Sequence, residues 1–159
     1  MKKLFSVLLT VCVLFAMSLS VCASEFLPLF DEPDVMTDAE ESALVTKFEG
    51  IAAQYQMEVV VAAFATIDGA SPMDYADDFY DYNGYCEDGI LLLVSMEDSD
   101  WWISTAGYGI TAFTDAGIEY LGNRFVPSLS DGDYAGAFET YANHCDEFIT
   151  QAKTGDPYD

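Results

Sequence analysis

The chain has 159 residues, with 5 Lys and Arg against 28 Asp and Glu, for a formal net charge of −23. Such a field repels nucleic acid and anionic lipid surfaces, and it draws divalent cations and basic partners. It is not the charge of a disordered acidic chain, which would be poor in aromatic residues, because 14% of these residues are aromatic.

The chain opens on Met1-Lys2-Lys3, followed by an apolar run from Leu4 to Val21 and the small-residue pattern Val21-Cys22-Ala23. A basic start, an apolar middle and a small-residue end make a secretory signal peptide over residues 1–23, with cleavage expected after Ala23. An uncleaved anchor is the alternative, since a spanning helix needs roughly 20 apolar residues. Ser6, Thr10, Ser18 and Ser20 dilute the run. A lipid-modified Cys22 is a third reading, weakened by the bulk of Val21 beside it. Cleavage would leave Lys47, Arg124 and Lys153 against all 28 carboxylates, a net charge of −25. About 136 residues would remain, one domain with room for a core.

Residues 24–36 read as an irregular lead-in containing Pro28 and Pro33. Thr37-Asp38-Ala39-Glu40 is a capping box, and Leu44, Phe48, Ile51, Ala52 and Tyr55 then recur at helical spacing. Val59 to Ala65 is a short apolar run, the mark of a strand covered on both faces. Ser71 and Pro72 open a second helix, predicted to reach Tyr80. Gly89 to Met96 reads as a second buried strand. Glu97-Asp98-Ser99-Asp100 reads as a turn, and Trp101 to Thr105 as the third strand, so these last two form a hairpin. Gly107-Tyr108-Gly109 is a bend. Thr114 caps a third helix, with Asp115 in its dipole-favoured first turn, which should stop before Pro127. Ser128 to Asp133 reads as a loop. The last helix carries one apolar stripe from Tyr134 to Ala152, and residues 154–159 form a polar tail. The order predicts an α/β/α three-layer sandwich around a small mixed sheet, a parallel pair plus an antiparallel hairpin strand.

The sequence resembles the TPM domain family, which includes thylakoid-lumen photosystem repair proteins, a modulator of levamisole receptors and many exported bacterial proteins. Four stretches carry the likeness: residues 35–41, Val-Met-Thr-Asp-Ala-Glu-Glu; Val59-Val60-Val61 with Tyr75-Ala76-Asp77-Asp78-Phe79; residues 87–94, Glu-Asp-Gly-Ile-Leu-Leu-Leu-Val; and Thr105-Ala106-Gly107-Tyr108-Gly109 with Phe113-Thr114-Asp115. The likeness covers residues 27 to 152 and implies a domain over residues 24–153. The chain departs from the pattern at Cys86, where the family often has Gly. It also carries neither the membrane segment nor the Gly/Ser-rich tail that often follows the domain, and no stable membrane insertion is expected once the signal is cleaved.

The resemblance implies that Asp88 and Asp115 line an acidic pocket for calcium. Position alone leaves a tension. Ligands in open α/β sheets bind at the carboxyl ends of parallel strands. Asp115 could reach that edge, whereas Asp88 precedes its strand and belongs to the other, unless loop 81–88 folds over to meet the 107–115 bend. Calcium takes roughly six to eight hard oxygens in flexible geometry. Asp81 and Asp98 are the further metal candidates, with Asp78, Asn83 and Glu87 nearby, although no EF-hand spacing is present. These acids otherwise read as a solvated face.

The resemblance also implies an alternative function, a metal-dependent phosphatase acting through aspartates and a bound water. Against it, the surface repels phosphate esters, Arg124 is the only Arg, and His144 sits beside the apolar stripe of the last helix. Gly107-x-Gly109-x-x-Ala112 follows a hairpin strand, not a first βα turn, so it does not read as a dinucleotide site. Cys86 and Cys145 could form one disulfide, and with one His they are too few for structural zinc. One of Trp101 and Trp102 should be core and the other exposed. Tyr80, Tyr82, Tyr85 and Tyr108 read either as an interface rim or as helix-to-sheet packing. The expected protein is an exported, calcium-binding module that docks on an envelope or membrane protein.

Overall fold

The computed structural model of the chain describes residues 27–159. The signal peptide and its cleavage site after Ala23 lie outside the described residues. Four strands form one sheet in the order β1 (Leu29–Asp31), β2 (Glu58–Phe64), β3 (Gly89–Ser95) and β4 (Asp100–Ala106). The β1–β2 and β2–β3 pairs are parallel and β3–β4 is antiparallel. Helices α1 (Asp38–Tyr55), α2 (Pro72–Tyr82), α3 (Gly109–Ala112), α4 (Asp115–Ser130) and α5 (Tyr134–Lys153) complete the domain. This is the expected α/β fold with a mixed sheet.

Strands β2 and β3 are buried at every position, which explains the unbroken apolar runs Val59–Phe64 and Ile90–Val94 within them. Val59, Val61, Ala63, Ile90, Leu92 and Val94 face the larger core, shared with α1, α4 and α5. Val60, Ala62, Leu91 and Leu93 face a smaller core under α2, with Ala76 and Tyr80. The two clusters are the two sides of the sheet, so among the described residues α2 alone covers one face.

Helix starts follow their caps. Thr37 and Glu40 complete the reciprocal capping box, Ser71 accepts from the Asp74 amide, and Thr114 accepts from the Gly117 amide. Three boundaries differ from expectation. The lead-in contains β1, which pairs Leu29 with Val61 at the sheet edge. Helix α2 continues to Tyr82. Helix α4 passes through Pro127 and ends at Ser130, so most of the expected 128–133 loop is helix or its cap. Pro127 removes one helical hydrogen bond, but Val126 and Leu129 on either side of it pack against the core. The tail is not merely polar either: Tyr158 bridges to Phe113 and stacks on Phe148 with centroids 4.7 Å apart.

Candidate functional site

At the start of the parallel strands, the Glu58 amide donates to the Asp88 carbonyl and so ties β2 to the residue before β3. The Asp88 Oδ1 accepts from the Tyr108 amide at 2.6 Å, joining the loop before β3 to the bend after β4. Gly107, at φ +55°, lies so close that a Cβ there would sit 2.1 Å from Asp88 Oδ1; only glycine has both the conformation and the room. A Cβ on Gly109 would sit 2.1 Å from the Gly89 carbonyl oxygen, and one on Gly89 would overlap the Tyr80 hydroxyl. The loop before β3 therefore does meet the 107–108 bend, on the amino edge of the sheet.

Glu58 is the residue that sequence reading missed here. It is 6% exposed, and its carboxylate accepts from the Cys86 amide at 2.7 Å. A charged residue at the head of an otherwise apolar run was the available signal. Tyr80 donates its hydroxyl to the Cys86 carbonyl at 2.8 Å. Burial, reinforced by the Glu58 charge, pushes the Tyr80 phenol well above its ordinary range and the Tyr85 phenol up to about 12. Tyr80 and Tyr85 therefore belong to helix-to-sheet packing, with ring centroids 5.2 Å apart, whereas Tyr82 is exposed. Cys86 is disulfide-bonded while Cys145 is a free, buried thiol, so these two residues do not bridge each other.

Asp98 stands at the opposite edge. It accepts from Ser95 Oγ at 2.5 Å and from the Ile67 amide at 3.4 Å. The Ser95 hydrogen bond leads in holding its carboxyl below the usual carboxylate range. The seven residues of β3 separate it from Asp88, roughly 20 Å at ordinary strand rise. Asp88 and Asp98 therefore cannot share an ion. Asp81 is exposed on the last turn of α2, and among the described residues no group of three or more His, Cys, Asp or Glu converges on one point. The four expected ligands thus do not make one coordination shell.

Asp115 lies elsewhere again, on a groove of about 820 Å³ beside β4. Residues 100–103 form its floor, Ser71, Pro72 and Met73 one wall, and Asp115, Ile118 and Glu119 the other. Trp101 points into the core and meets Phe125 edge-on at 5.1 Å, while Trp102 is 40% exposed. The two indoles divide as their alternation predicts. His144 bonds Glu147 at 2.9 Å on the surface of α5, far in sequence from any of these acids.

The TPM domain family matches residues 29–148, three quarters of the chain. The chain belongs to the TPM domain family. Solved structures share the fold. The N-terminal domain of a P. gingivalis protein superposes with a TM-score of 0.70 at 17% identity, covering 84% of this chain and 87% of that one. The N-terminal domain of a Corynebacterium glutamicum protein gives 0.64 at 18% identity, over 79% and 82%. The BA42 protein of the psychrophilic bacterium Bizionia argentinensis gives 0.62 at 17%, over 78% and 86%. At these identities the likeness is one of fold. No curated protein matches the chain. Within this TPM domain, Asp88 and Gly89 of the 87–94 stretch and Gly107 and Gly109 of the 105–109 stretch form a single contact set at the amino edge of the sheet.

Proposed function

We propose that this TPM domain is a non-catalytic module that works outside the cytoplasm, takes calcium weakly on its acidic surface and docks on an envelope or membrane protein. The observation that carries this reading is the lining of the β4 groove: it holds Asp100, Asp115 and Glu119 and no cationic side chain. Such a surface suits a cation or a basic partner and disfavours a phosphate ester. The three positive side chains of the described domain are engaged elsewhere. Lys47 pairs with Glu139 at 3.8 Å, Arg124 lies 4.6 Å over the Tyr120 ring, and Lys153 lies 5.1 Å over the Tyr108 ring.

Calcium fits this domain only as a surface ligand. Asp88 already spends Oδ1 on the Tyr108 amide, and Asp115 is on another part of the molecule. Either acid would need carbonyl oxygens and water to fill the shell, which places affinity at roughly 10⁻⁴–10⁻³ M, the weak end for calcium modules. Calorimetric titration of calcium and magnesium into the signal-cleaved protein tests the reading, with Asp88→Asn and Asp115→Asn alongside. Saturable, calcium-selective heat lost in either variant supports it. Equal, unsaturable heats for the two ions would remove calcium from the function. Hydrolysis of a generic phosphate ester that disappears in Asp115→Asn would overturn the non-catalytic reading.

A further inference from the structure

Strand β4 is an edge of the sheet, and its seven residues, Asp-Trp-Trp-Ile-Ser-Thr-Ala, contain no Pro, Gly or Lys. Exposed edges are usually blunted by such residues, by bulges or by shortness, because a row of unpaired amides and carbonyls invites another strand. Here β4 pairs with β3 at every residue without a bulge, and among the described residues its backbone pairs with no other element. The Trp101 amide donates to the Asp100 side chain at 2.9 Å. Donors in an antiparallel strand alternate between its two sides, so the Ile103 and Thr105 amides face away from β3 as the Trp101 amide does.

The groove described above runs along this edge. Its two walls have different chemistry because they belong to opposite faces of the sheet. On the α2 side the groove is lined by Ser71, Pro72 and Met73 beside Trp102, with Met73 44% and Trp102 40% exposed, and beyond it Ser104 donates to Asp77 of α2 at 2.5 Å. The α4 wall carries Asp115 and Glu119. A strand laid against β4 would present alternate side chains to these two walls. We propose that β4 is a strand-addition site for an extended basic segment of a partner protein, in which apolar side chains alternate with Lys or Arg. Main-chain pairing supplies affinity and the two walls supply the alternation rule. A second copy of this chain is a poor occupant, since each carries a net charge of −23 and would set Asp100, Asp115 and Glu119 against acids.

The inference rests on the interaction-module reading and names the chemistry of the partner. The test is run without metal, so it is independent of the calcium titration. The probe is an acetylated, amidated seven-residue peptide, Val-Lys-Val-Lys-Val-Lys-Val, added to isotope-labelled protein with chelator present. Shifts confined to β4 (residues 100–106), the groove walls at residues 71–73 and 115–119, and the two indole N–H groups, with slowed exchange of the Ile103 and Thr105 amides, are expected. N-methylating alternate peptide amides gives two registers; one should bind about tenfold weaker or worse, through loss of a few main-chain bonds, and the other should bind normally. The doubly neutralised Asp115→Asn/Glu119→Gln protein should also bind less tightly. Equal affinity for a Val-Glu peptide, equal affinity of both methylated registers, or shifts lying elsewhere would each overturn the proposal. So would a concentration-dependent dimer that protects β4. Failure here alongside selective calcium binding and no phosphate-ester hydrolysis would remove the strand-addition site and leave the module reading standing.

Discussion

Gly109→Ala and Gly50→Ala are the same chemical change and should act in opposite directions. A Cβ at Gly109 would stand 2.1 Å from the Gly89 carbonyl oxygen and 3.2 Å from the Met57 Cε. A carbon ordinarily approaches a carbonyl oxygen no closer than about 3.3 Å, so one backbone must retreat by roughly 1.2 Å. Neither can do so freely: Gly89 pairs with Glu58 on one side and Ala106 on the other. Overpacking of this kind costs about 1–3 kcal/mol, and a backbone obstacle places Gly109→Ala near the upper value, about 3 kcal/mol. For a domain of this size that is a fall in Tm of roughly 8–15 °C. Gly50 lies exposed inside α1 with no atom within 4 Å of its would-be Cβ. Alanine there should add about 0.5–1 kcal/mol through helix propensity and a less mobile unfolded chain. Denaturant unfolding with matched m-values measures both. A Gly109→Ala midpoint equal to that of the parent would refute the close contact between the bend and the start of β3.

Two further outcomes follow from the same edge of the sheet. Asp88→Ala should destabilise by about 1–2 kcal/mol, because the Tyr108 amide loses its acceptor, whereas Asp88→Asn keeps an acceptor oxygen and should lose less than half as much; equal losses in a thermal melt would show that charge, not the bond, matters. For Tyr85 the neutral phenol is favoured in the folded state, with its pKa raised from 10.0 to about 12. A raised folded value means that the contribution is complete below pH 10 and is lost as pH climbs toward 12. Stability measured across that window should fall, and Tyr85→Phe should flatten the fall; an unchanged slope would contradict the burial assigned to this ring.

The sequence carried its helix starts openly, since Thr37, Ser71 and Thr114 are all N-caps using short-range bonds. The apolar runs of β2 and β3 were equally legible because burial on both faces leaves no alternation to decipher. What was hidden depends on distant partners. Strand β1 has three residues and is defined by pairing with Val61–Ala63, contacts that no local pattern announces. Pro127 stays within α4 because its neighbours are held by the core, which outweighs a local breaker. The acids were the least legible feature. Asp98 locks the end of β3 through Ser95, Asp88 latches the bend through Tyr108, and Asp115 flanks a groove. Their spacing along the chain gave no measure of the sheet that separates them.

That separation changes what the family's distinctive residues explain. Asp88, Gly89, Gly107 and Gly109 are sufficiently accounted for by packing: one hydrogen bond and two close approaches, Gly107 on Asp88 and Gly109 on Gly89, hold the bend after β4 to the start of β3, and Gly89 leaves room for the Tyr80 hydroxyl. A ligand is not required to explain why these residue types stand there. Asp115 and Glu119 have no such internal explanation, since both are exposed on the wall of the groove and only Asp115 has the first-turn position that suits a helix acid. The functional weight of the acidic surface therefore moves from the Asp88 corner toward the open edge of β4. There the same carboxylates that repel a phosphate can select a basic strand, and the free amides of the edge can hold it.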